Sequence, residues 1–226
     1  MQKLLVRTLL AVAISLSASL ACAQDDLSLL PKYGSSPKTE IQKDADAKFI
    51  AALDEQYHGD RNRASTVLAA RGWQYLRARD FADAMRRFNQ AWLLNNSNGT
   101  ALWGMAAVQA SLDKFDDSLK LFAEAQKFFG EEIDFSVDYA RAIGMDGIKR
   151  GDDAMLNDAF SRFERLYQKA PKNTNNLQNW AITLAGTGRY SEAWAKVKLA
   201  ETTPNKDALD PDFLAALQAR MPRPQD

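Results

Sequence analysis

Phe81-Ala82-Asp83-Ala84-Met85-Arg86-Arg87-Phe88-Asn89-Gln90-Ala91-Trp92-Leu93-Leu94 sets a small residue at 84, a ring at 88 and a small residue at 91. Spacings of four and three put these residues on one face of a helix. The same offsets return as Ser118, Phe122 and Ala125, then as Ala159, Phe163 and Leu166, and again as Ala193, Val197 and Ala200. Successive members lie 34, 41 and 34 residues apart. Phe81 opens the helix, three residues before Ala84, and Phe115 and Tyr190 hold the same offset in the second and fourth units. An upstream helix carrying Leu68, Gly72 and Tyr75 completes the first unit, with Gly72 and Ala84 where two antiparallel helices would approach most closely. A period of 34 with two helices per period predicts an all-α array of stacked helix hairpins.

Over about Ser65 to Pro204, four units, the chain resembles the tetratricopeptide repeat (TPR) family. The resemblance implies a right-handed superhelical stack of antiparallel hairpins. In the family a Pro closes the second helix. Pro171 and Pro204 do so here, while Asn96 and Gly130 stand at the first two junctions and tolerate the same left-handed turn. The stretch Arg87 to Leu94 is similar to uncharacterised envelope members of the family.

The third unit is expected to be irregular. Its first helix, about Asp134 to Arg150, carries Gly144 and Gly147. Some three extra residues are expected in its hairpin turn near Gly151-Asp152-Asp153, with a longer connection before it around Gly130-Glu131-Glu132. Ahead of the array, Ile41, Ala45, Phe49, Leu53 and Tyr57 predict a helix ending near His58-Gly59-Asp60. Behind it, Asp210-Pro211 reads as a helix cap, and Phe213, Leu214, Leu217 and Met221 form the stripe of a terminal helix that covers the stack.

Lys3 and Arg7 precede an apolar run from Leu9 to Leu20, which reads as an export signal over residues 1–23. Ala21-Cys22-Ala23 permits two outcomes: cleavage after Ala23, or lipidation of Cys22, the only cysteine. The first expects a periplasmic protein, and the second an outer-membrane lipoprotein facing the periplasm. Residues 24–38, with Pro31, Gly34 and Pro37, read as a flexible linker, 39–222 as the helical domain and 223–226 as a tail.

Chemistry finds little support. The single histidine, His58, lies in a turn with no nucleophile motif, and one His with at most one Cys cannot build a common zinc site. Asp116-Asp117, Glu131-Glu132 and Asp152-Asp153 sit where acidic residues cap helices. No enzyme, metal or cofactor is expected; a cell-wall-acting enzyme is the least supported alternative. With a formal net charge of zero, the chain shows no nucleic-acid signature, and membrane contact is expected only through an N-terminal lipid.

The resemblance implies that first helices of the hairpins line a concave face. Carried over, this puts Thr66, Ala69, Trp73, Leu76 and Arg77 there, then Thr100, Trp103, Ala107 and Ala110, and in the fourth unit Asn175, Gln178, Ile182 and Ala185. Trp73 and Trp103 are either groove anchors or core residues. Seven arginines against Asp80 and Asp83 give Arg61 to Arg87 a net charge of +5, suited to an acidic peptide or to a solvated face. The expectation is an envelope scaffold or adaptor that binds a protein or peptide; a self-associating structural protein is the alternative.

Overall fold

A computed structural model describes residues 26–225. The export signal, its two processing outcomes and Cys22 lie outside the described residues. Among those described, ten α-helices follow in order: α1 Glu40–Gln56, α2 Arg61–Arg77, α3 Phe81–Leu94, α4 Gly99–Ser111, α5 Phe115–Phe129, α6 Ile133–Arg150, α7 Asp153–Lys169, α8 Thr174–Gly186, α9 Tyr190–Ala200 and α10 Pro211–Arg220. Helices α2 to α9 pack as four sequential hairpins, α2 with α3 through α8 with α9. The all-α hairpin stack expected from the repeat is what forms.

Local chemistry sets the helix ends. Side chains of Asp60, Asp80, Asn98, Glu132, Asp152, Asn173 and Asp210 accept hydrogen bonds from backbone N–H groups of the first turn that follows each. Thr39 and Gln42 form a reciprocal capping box at α1. Every hairpin closes the same way. The N–H groups of Asp80, Lys114, Asp152 and Arg189 donate to carbonyls five residues back, on Tyr75, Gln109, Gly147 and Leu184. The residue before each donor is left-handed: Arg79, Asp113, Gly151 and Gly188, with φ of 60°, 56°, 66° and 78°. Glycine adopts this conformation freely, whereas Arg79 and Asp113 carry a steric cost.

All twelve residues of the three columns are buried. Ten of them divide among three contiguous cores: an N-terminal one around Leu68 and Ala91, a central one around Phe88, Phe122 and Phe135, and a C-terminal one around Phe163, Trp180 and Val197. Closeness of the helices explains the small residues of the first column. The Ser118 hydroxyl donates to the Ala106 carbonyl at 2.9 Å, across the α4–α5 hairpin.

The third unit's irregularity lies elsewhere than expected. Its turn is only Gly151-Asp152, and the connection before it, residues 130–132, is no longer than its counterparts. The extra residues are helical instead: α6 has 18 residues where α4 and α8 have 13. Added residues that can extend an i→i−4 ladder satisfy their backbone groups, whereas in a loop they would not. The tip of this hairpin therefore projects about 7.5 Å further.

The stretch expected as a linker is also held down over residues 26–35. Two short 3-10 turns, Leu27–Leu29 and Pro31–Ser35, lie against α3. The amide of fully buried Asn89 donates to the carbonyls of Ser28 and Leu30, both at 2.8 Å. Arg86 reaches Asp26, and Lys32 pairs with Glu124 of α5. Lys32, Tyr33, Gly34 and Ser35 all have positive φ, a left-handed turn retained because these contacts surround it. Composition predicted a linker because Pro, Gly and Ser dominate; the anchoring Asn89 lies some sixty residues away.

At the other end, α10 caps the stack. Leu217 is buried, and the Trp194 indole N–H donates to the Met221 carbonyl at 3.0 Å.

Candidate functional site

The first helices α2, α4 and α6 enclose an open cavity of about 460 Å³. From α2 and its turn come Trp73, Leu76, Arg77 and Arg79; Phe81 opens α3. Helix α4 supplies Ala107, Ala110 and Ser111, and α6 supplies Asp138, Arg141, Ala142 and Met145. The alanines of α4 keep the floor low because each is only a methyl deep. Larger side chains on the flanking helices form the walls.

An edge-to-face aromatic chain supports one wall. The rings of Trp73 and Trp103 lie 4.9 Å apart at 71°, and Trp73 meets Phe88 at 5.7 Å. Trp103 also touches Phe129 at 5.3 Å and Phe135 at 5.7 Å. Its indole N–H donates to Asp138 Oδ2 at 3.0 Å. Burial pushes the Asp138 carboxyl up to about 6; the Trp103 bond and the Arg141 charge oppose the shift, while Asp134 and Glu132 add to it.

Of the expected groove residues, Trp73, Leu76, Arg77, Ala107 and Ala110 come together along this cavity. Others do not. Ala69 is 1% exposed and belongs to the N-terminal core, because α2 turns that face toward α3 and α4. Thr66 is exposed, and its hydroxyl donates to the Asn62 carbonyl of its own helix. Thr100 is half-buried near the start of α4 and outside the cavity lining. Gln178 Oε1 accepts from the Asp210 backbone N–H at 2.6 Å and so fastens the entry to α10. Trp103 is half-buried, and its ring and N–H are engaged by neighbours.

Arg79, Asp138, Arg141 and Met145 were missed. A signal for the last two was present: Arg141 and Met145 lie 34 residues beyond Ala107 and Ser111. Helices α4 and α6 start at 99 and 133, so the regular step reaches the first helix of unit three. The 41-residue step is measured on the second helices and concealed this.

A larger cavity of about 690 Å³ lies at the projecting hairpin tip. Its charges neutralise one another: Arg150 spans Asp146 and Asp116, each at 2.7 Å, and Lys149 Nζ donates to the Asp113 carbonyl at 2.9 Å. Among the described residues no cluster of His, Cys, Asp and Glu could hold a metal, and no helix is long and apolar enough to cross a membrane. His58 is exposed in the turn after α1.

The hairpin stack has counterparts among solved structures. TTC0263, a thermophilic TPR protein of Thermus thermophilus, superposes with a TM-score of 0.60 at 18% identity, over 70% of this chain and 84% of that one. The fold is TPR-like. YrrB, a TPR protein with an unusual peptide-binding site, gives 0.49 at 18% identity, over 79% and 85%. No family model matches the chain, and no curated protein matches it.

Proposed function

We propose that this chain is a protein-binding scaffold whose TPR-like groove between α2 and α6 captures a segment of another polypeptide. One observation carries the reading: a half-buried Trp73 beside a shallow, alanine-floored cavity that spans three hairpins. A bulky ring already ordered by Phe88 and Trp103 offers contact area at little entropic cost. Repeat stacks work through such extended surfaces. Binding is an equilibrium capture with no covalent step. The proposed setting is the bacterial cell envelope, which rests on the basic and apolar pattern of residues 1–23.

In-cell crosslinking followed by mass spectrometry, comparing wild type with Trp73→Ala, tests the groove. Partners should be lost from the crosslinked set; an unchanged set overturns the reading. Fractionation tests the location separately, and palmitate labelling with a Cys22→Ser control decides between the two processing outcomes.

A further inference from the structure

The charged groups of the groove are not evenly matched. Arg77 and Arg79 lie on the α2 side, and neither has an ion-pair or hydrogen-bond partner among the described residues. Of the other arginines of the basic first unit, Arg61 is engaged by Asp54, Arg86 by Asp83 and Asp26, and Arg87 by Gln90, while Arg63 and Arg71 lie outside the cavity lining. The one groove carboxylate on α6, Asp138, holds the Trp103 indole and faces Arg141 from its own helix. The turn after α4 adds a second lining carboxylate, Asp113, so three guanidiniums, Arg77, Arg79 and Arg141, stand against two carboxylates beside an apolar floor, and the excess positive charge lies on the α2 side.

We propose that the groove recognises an extended, internal peptide segment in which an apolar side chain is flanked by Asp or Glu. The apolar group seats between Trp73 and Met145, and the flanking carboxylates meet Arg77 and Arg79. Guanidinium groups bind carboxylates in bidentate fashion. Arg79 strengthens the case, because its backbone is left-handed at φ 60°, where glycine would be easier. Of the three other hairpin turns, two use glycine, Gly151 and Gly188, and the third uses Asp113, which also lines the groove. This inference rests on the groove being the contact surface.

Fluorescence anisotropy on the full chain provides the test, with end-capped peptides carrying one central apolar residue. One set has flanking Asp and Glu, a second Asn and Gln, a third Lys. A fourth has neutral side chains and a free C-terminal carboxylate. The acidic set should bind about tenfold more tightly than the neutral set, the scale of one to two charge-assisted contacts. Salt should weaken only the acidic set. Arg77→Gln with Arg79→Gly should erase the difference while leaving the weaker neutral binding. Arg79→Gly suits the turn, so a folding defect does not confound that arm. Equal or tighter binding of the neutral, basic or terminal-carboxylate peptides overturns this inference and leaves the groove reading standing. So does an acidic preference that survives in the double variant. If no peptide binds and Trp73→Ala leaves cellular crosslinks unchanged, the groove reading itself fails.

Discussion

Gly104 of α4 lies so close to the Phe88 ring of α3 that an added Cβ would stand 2.1 Å from both Cε1 and Cζ. From the other side, a Cβ on Gly72 would meet the same ring at 2.6 Å. Phe88 is fully buried and has no room to withdraw. One ring, pressed between two backbones, thus joins the first hairpin to the second.

Gly104→Ala should therefore destabilise by at least the 1–3 kcal/mol typical of overpacking, read by urea denaturation. Shrinking the ring should relieve it. Phe88→Leu combined with Gly104→Ala should be less destabilised than the sum of the single variants, by on the order of 1 kcal/mol. A Gly104→Ala protein within about 0.5 kcal/mol of wild type would contradict this packing.

The two tryptophans should separate by what they lose. Trp103 packs against Trp73, Phe129 and Phe135 and holds Asp138, so Trp103→Ala should cost about 3–5 kcal/mol of stability. Trp73→Ala should cost less, because one side of that ring faces the cavity, yet abolish peptide binding. Thermal melts and anisotropy on the same samples check both. Full stability in Trp103→Ala with lost binding would instead make Trp103 the anchor.

Asp138 imposes a pH dependence of opposite sign to a salt-bridged carboxylate. Its folded value of about 6 lies above the ordinary 3.8, so between those values the folded state holds more protons than the unfolded. The Asp138 contribution is therefore most favourable below about pH 4 and is lost as pH rises through 6. Glu132, Asp134 and Arg141 contribute to that shift and stay in place in the variant. Asp138→Asn keeps an acceptor for the Trp103 indole and should stabilise the fold at pH 7, on the order of 2 kcal/mol. It should flatten the stability profile between pH 4 and 6; an unchanged profile there would refute the assignment.

Asn89 should control the N-terminal segment. Asn89→Ala removes both donors to the Ser28 and Leu30 carbonyls, and the left-handed turn at residues 32–35 then loses its anchor. Hydrogen exchange should rise across residues 26–35 while protection of α4 to α9 is kept, with a global cost of about 1–2 kcal/mol. Unaltered exchange in that segment would show that Lys32–Glu124 and Arg86–Asp26 suffice to hold it.

How much was legible in the chain follows from the range of each interaction. The columns at Ala84, Phe88 and Ala91 announced the hairpins because helix periodicity and inter-helix closeness are written within one repeat. The caps at Asp152 and Asp210 were readable for the same reason, since each acts within three residues. The groove was half legible: Trp73, Leu76, Arg77 and Ala107 followed from the regular units, but Asp138, Arg141 and Met145 sat behind an irregular step.

By itself, then, the sequence determined the hairpin array, its four units and its two capping helices, because local periodicity and capping need no distant partner. Only the tertiary structure decided which faces of α2, α4 and α8 are free. It buried Ala69, set Gln178 on the Asp210 backbone, tied Trp103 to Asp138, and laid residues 26–35 on Asn89. Each depends on the angle and depth at which hairpins stack, a quantity set by side chains that meet only after the chain has folded.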